Sequence, residues 1–163
     1  MKSNNGIVYR KIVPLQISRA STIQDELMPV VKWVNPATLL IETEYQRSLD
    51  SKSLKFIRNI VKSFSWSKFK PPICVEINST LVVIDGQHTS IAAASHPMIK
   101  LIPVYIYKEL VLQNRAQSFV SHNTNRLKVH PLALFHAKVA SGDMDSCLLL
   151  NAVKAAGAYF PRS

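Results

Sequence analysis

The sequence predicts an α+β fold, a small mixed β-sheet packed with helices and followed by a helical C-terminal portion. Three observations lead there. Short runs rich in β-branched and aromatic residues recur at 30–34, 73–77, 81–84 and 102–107, each bounded by turn residues. Between and beyond them the apolar spacing changes to three and four, the period of a helix. After 107 the strand signal stops, which segregates helices to one end of the chain. The expected organisation is an N-terminal arm over 1–28, a core over 29–108, and a helical portion over 109–163 belonging to the same domain.

The arm is weakly patterned. Ile7-Val8-Tyr9 and Ile12-Val13 suit either a short strand or an extended segment, and Pro14 breaks the run. Val30 to Val34 reads as the first strand, ended by a turn at Asn35-Pro36, and Leu39-Leu40-Ile41 is a short apolar piece. A helix is expected over Lys52 to Phe64. Leu54, Ile57, Val61 and Phe64 share one face with Ile60 beside them, Lys55, Arg58 and Lys62 lie opposite, and Asp50 or Ser51 caps it. Trp66 and Phe69 follow. They suit packing of that helix on the sheet, or stacking on nucleic-acid bases.

Pro71-Pro72 stops any continuation. Ile73–Ile77 and Leu81–Ile84 then form a hairpin around Asn78-Ser79-Thr80. A small-residue helix follows, with Thr89 or Ser90 as its cap, and His96-Pro97 ends it. One face of the sheet is expected to be covered. Ile102–Tyr107 is the last strand. A helix runs from Glu109 to the polar cluster His122-Asn123-Thr124-Asn125-Arg126. Another, over 132–140, has Pro131 in its first turn and Gly142 at its end, and a final one covers 145–157.

Charge points to a partner. The chain of 163 residues carries 20 Lys+Arg against 10 Asp+Glu. Arg47, Lys52, Lys55, Arg58, Lys62, Lys68 and Lys70 fall together, with Asp50 the one acid among them. Such a stripe favours a polyanion, nucleic acid first. No apolar run approaches the roughly 20 residues of a membrane span, and the first residues lack a signal-peptide core. The expected location is therefore cytoplasmic, with no membrane partner. Cys74 and Cys147 lie in apolar runs and read as buried free thiols, and no Cys/His spacing suggests zinc.

The stretch Leu81 to Ala94, LVVIDGQHTSIAAA, concentrates the chemistry. It reads as a strand, a glycine turn and a helix start. Amides at such a start lack internal partners and carry partial positive charge, which suits a phosphate. The plainer reading is a turn with an N-cap. Asp85 suits a general base or metal ligand and His88 a proton relay.

Glu44-Tyr45-Gln46-Arg47, the amphipathic helix, Pro72-Ile73-Cys74-Val75 and Val83-Ile84-Asp85-Gly86-Gln87-His88 together resemble the ParB/sulfiredoxin superfamily. Within it the resemblance is to the ParB-like nuclease-domain branch with an Asp-Gly-Gln-His-Arg signature, and it covers roughly 30–140. The resemblance implies a nucleotide-binding, DNA-associated domain, with CTP or ATP and Mg²⁺ as cofactors. It also implies metal-dependent phosphoester hydrolysis, as a nuclease or NTPase, with Asp85 and His88 as catalytic residues. Arg47, Gly86, Gln87, Thr89, Asn123, Asn125 and Arg126 would bind the nucleotide and its phosphates. Asp85 and Asn123 would hold the metal, Lys55, Arg58 and Lys62 would meet DNA, and a homodimer belongs to the expected assemblies.

Two positions depart from the pattern. Thr89 replaces the signature arginine and lacks its fixed positive fork. His122 replaces the acid of the metal segment, and Mg²⁺ prefers oxygen. The alternative is a catalytically degenerate regulatory or interaction module of a mobile element. Neither cysteine falls in the signature, which excludes sulfiredoxin chemistry.

Overall fold

A computed structural model describes residues 11–19, 22–23, 28–46, 48–125 and 128–160. The chain divides into two compact units, Met1–Leu110 and Val111–Ser163. The first holds β1 (Val30–Val34), β2 (Leu40–Ile41), α1 (Ser51–Lys62), β3 (Ile73–Ile77), β4 (Thr80–Asp85), α2 (Gln87–Ser95) and β5 (Ile102–Tyr107). The second holds α3 (Leu112–Thr124), α4 (Pro131–Ala140) and α5 (Met144–Ala155). Arm residues 11–19 form neither helix nor strand, and Ile7–Tyr9 lies outside the described residues.

The five strands make one sheet in the order β1-β5-β3-β4-β2. β1 runs antiparallel to β5 and β3 antiparallel to β4. β3 with β5 and β2 with β4 are parallel. This is the mixed sheet that the sequence predicts. The hairpin turn is tighter than expected: Asn78 and Ser79 take positive φ of 48° and 62°, and Thr80 already pairs with Ile77. Two residues at positive φ let the connection follow the strands' own twist.

Register places Cys74 beside Val83 and Ile106. These three, with Ile102, Val104 and Ala93 of α2, form a fully buried cluster on one sheet face. Val75, Val82 and Ile84 alternate with that set and are buried too. The expectation of one covered face is thereby corrected. The apolar residues of β3 and β4 run consecutively, at 73–75 and 81–84, because both faces of the central strands are shielded from water.

Asp50, not Ser51, caps α1, its carboxylate accepting the Ser53 amide at 2.7 Å. Ile57 is buried, whereas Leu54, at 39%, is exposed. The helix stops at Lys62, so Phe64 falls in the following loop. There it joins an aromatic cluster with Trp66 (5.1 Å), Phe69 (5.6 Å) and His96 (5.5 Å between ring centres). Phe69 packs against the buried sheet cluster, while Trp66 is 52% exposed and meets Trp33 edge-on at 6.0 Å. The packing role thus falls to Phe69.

In the second unit α4 packs against α5. Pro131 opens α4 and Nδ1 of His130 accepts the Leu132 amide at 3.3 Å. Asp143 caps α5, which begins at Met144, one residue ahead of the expected start, and accepts the Ser146 amide at 3.0 Å. The Ser146 hydroxyl and amide hold its carboxyl below the usual carboxylate range. Among the described residues no helix is long and apolar enough to cross a membrane.

Neither cysteine is in a disulfide, and Cys74 is buried and Cys147 partly so. Burial pushes the Cys74 thiol up to about 12. The folded chain holds that proton more tightly than the unfolded chain does. Its stabilisation is therefore present below the ordinary thiol value and lost as pH climbs toward about 12. Only the thiolate attacks disulfides. A Cys147→Ser variant should show no fast reaction with an aromatic disulfide reagent while native, and full reaction in guanidinium. Fast labelling of the native variant would show that β3 opens readily to solvent.

Candidate functional site

The site grows out of the end of β4. Val82, Val83 and Ile84 are buried and deliver the chain to Asp85 at a half-buried corner. Gly86 turns there with φ +97°. A Cβ at this position would lie 3.0 Å from Pro72 Cα and 3.2 Å from Pro72 Cβ. Glycine is therefore required twice, for its backbone angle and for the close approach of the segment entering β3. One oxygen of Asp85 accepts the Gly86 amide at 2.9 Å.

Gly86 is also the N-cap of α2, which corrects the expected cap at Thr89 or Ser90. Its carbonyl accepts both the amide (2.9 Å) and the hydroxyl (3.0 Å) of Ser90. Thr89 and Ser90 therefore lie inside the first turn. A glycine cap has no side chain, so it leaves the first-turn amides without the oxygen that Ser, Asp or Asn would supply. Gln87, His88 and Thr89 surround that helix mouth and are half-buried.

Two contacts place the neighbouring segments. The buried Gln46 side-chain amide donates to the Val83 carbonyl. This ties the loop after β2 to the strand two residues before Asp85. Tyr45 in the same loop donates its hydroxyl to Glu42 at 2.7 Å. The anchoring role of Gln46 was not visible in the sequence, where its only signal was a long polar side chain between apolar elements. On the other side α1 packs against α2, and His88 meets Phe56 edge-on at 5.8 Å. Thr89 lines a cavity of about 230 Å³ between α1 and the loop after it, together with Phe56, Phe64, Phe69, Lys68 and Lys70.

The structure thus gathers Asp85, Gly86, Gln87, His88 and Thr89 at one corner. Lys55, Arg58 and Lys62 are exposed on α1, as their spacing requires. Asn123 and Asn125 belong to the second unit. The Asn123 side-chain amide donates to the Phe119 carbonyl at 2.7 Å, and the Asn125 backbone amide closes α3 on Ser121 at 2.9 Å. Arg47 and Arg126 lie outside the described residues. Among the described residues no group of three or more His, Cys, Asp or Glu is placed to hold a metal ion. Asp85 already accepts the Gly86 amide, and Asn123 turns its amide nitrogen back onto its own helix.

No family model matches the chain, and no curated protein is similar to it. Solved structures are. The C-terminally truncated chromosome-partitioning protein ParB from Caulobacter crescentus complexed with CTP-gamma-S is similar at a TM-score of 0.56 and 13% identity, over 70% of this chain and 63% of that one. The same truncated protein complexed to the centromeric parS site has a TM-score of 0.43 and 13% identity, over 78% and 65% of the two chains. A Pnob8-like ParB-N domain has 0.45 and 16%, over 81% and 52%. The chain spans less than two thirds of the length of each of these structures. At 13% identity the first likeness is one of architecture, and it gives this chain a ParB-like fold.

Proposed function

We propose that the chain is a nucleotide-binding, DNA-associated domain whose phosphate site is the corner at Asp85–Thr89. The observation that carries this reading is the Gly86 turn against Pro72, which starts α2 without a capping side chain. Helix amides left in that state attract a phosphate. The fold shared with a CTP-gamma-S complex supports the same choice of ligand. In this reading Gln87 and Thr89 donate to phosphate oxygens beside the amides. The sequence resemblance assigns the positive charge there to Arg47.

In the hydrolytic version Asp85 is the base and His88 the proton relay. A second reading, binding without turnover, is favoured by Thr89. Its side chain lines the α1 cavity, and it offers one hydroxyl where an arginine would offer a charged fork.

Isothermal titration of CTP, ATP and ADP, each with and without Mg²⁺, tests the shared premise. At least one triphosphate should bind, and Gln87→Ala should weaken it several-fold without lowering Tm. Silence for all three nucleotides, with DNA binding intact, would leave a DNA-binding module and remove the phosphate site.

A further inference from the structure

The cavity between α1 and the loop that follows it borders the corner at Thr89, but its aromatic and cationic lining takes no part there. Phe56, Phe64 and Phe69 give it three aromatic walls, and Lys68 and Lys70 stand exposed at its edge. Phe56 is 56% exposed although it contacts His88, so part of an aromatic ring faces water. At about 230 Å³ the cavity is smaller than the roughly 300–1,000 Å³ typical of sites for whole drug-sized ligands. It suits one flat ring system.

Helix geometry places cations beside it. At 3.6 residues per turn, Phe56 and Ile60 of α1, continued by its C-cap Ser63, form the stripe that lines the cavity. Lys52, Lys55, Asn59 and Lys62 form the adjoining stripe, and Lys52, Lys55 and Lys62 are exposed. From Ser51 to Val75 the chain has six cations and no acid. A continuous positive track therefore passes an aromatic-lined recess.

We propose that this recess takes one unstacked base of a single-stranded nucleic acid, with Lys68 and Lys70 on adjacent phosphates and the α1 track carrying the flanking backbone. Aromatic platforms beside a cationic groove are how single strands are held without sequence readout. A duplex must first unstack and unpair the base, which disfavours it against a single strand. The inference rests on the reading that α1 contacts nucleic acid, and it adds the strandedness and the base pocket.

Fluorescence anisotropy on the full chain tests it. The probes are labelled oligothymidylate and oligouridylate of about a dozen nucleotides and a DNA duplex of equal length. Single strands should bind at least tenfold tighter than the duplex at equal salt. Phe56→Ala should weaken single-strand binding about tenfold, by loss of stacking, with an unchanged salt slope. Lys68→Ala with Lys70→Ala should instead lower that slope by roughly 1.4, about 0.7 for each phosphate contact. A response to only one of the two oligonucleotides supports the pocket and identifies which of the two strands it accepts. Equal affinity for duplex, or a Phe56→Ala variant that binds like the parent, would overturn the base pocket and leave DNA association standing. Failure of every probe would remove the nucleic-acid reading itself.

Discussion

Replacing Gly86 with alanine is expected to destabilise the protein by about 3 kcal/mol, enough to lower Tm by roughly 10 °C. Two costs add. An L-residue held in left-handed backbone space costs about 1–2 kcal/mol, and Gly86 has φ +97°. The new methyl group would also meet Pro72 Cα at 3.0 Å, a backbone atom that cannot swing aside. Overpacking of this kind costs about 1–3 kcal/mol. Gly142→Ala is the matched control. Its φ is +78°, but nothing lies within 4 Å of the added atom, so only the backbone cost applies. Urea unfolding of both variants should place Gly86→Ala well below Gly142→Ala. Equal losses would mean that the Pro72 contact yields freely, and the corner would lose its claim to be rigid.

That corner shows where sequence reasoning reaches and where it stops. The strands at 30–34, 73–77 and 102–107 were legible because their composition and bounding turns are local signals. The Asp-Gly turn was legible for the same reason. The start of α2 was not. A Thr-Ser pair looks like a cap, but the Gly86 carbonyl captures Ser90, and the helix begins two residues earlier than Thr89. Pro72 explains the glycine, yet the two are fourteen positions apart and meet only through the β3–β4 pairing.

Gln46 is a similar case, since its partner carbonyl at Val83 lies 37 residues away. Sheet order is also non-local: β5 inserts between β1 and β3, which no propensity encodes. Phe56 was passed over because it lies beside the apolar stripe of α1 and not in it. Its place at the cavity depends on the loop that carries Phe64 and Phe69 back over the helix.

Changing Lys55, Arg58 and Lys62 together to alanine is expected to lower the salt slope of duplex DNA binding by roughly 2.7, about 0.9 for each lost phosphate contact. The geometry supports three contacts. These residues recur at spacings of three and four along one exposed side of α1. At 1.5 Å rise per residue they span about 10 Å, which matches about three phosphates at 3.4 Å spacing on one strand. A slope change of that size means about 40-fold less salt sensitivity between 50 and 200 mM, readable from titrations at several ionic strengths.

The fold should be unaffected. All three side chains are exposed, and alanine is the strongest helix former, so Tm should hold or rise. Nucleotide binding at the α2 corner should persist, because the corner is built from β4, Gly86 and Pro72 and takes none of these cations. An unchanged slope with an intact fold would remove α1 from the DNA contact and move the search to the remaining basic residues. A lost slope accompanied by lost nucleotide binding would mean that the two ligands share one surface, and the corner and the α1 track would have to be read as a single site.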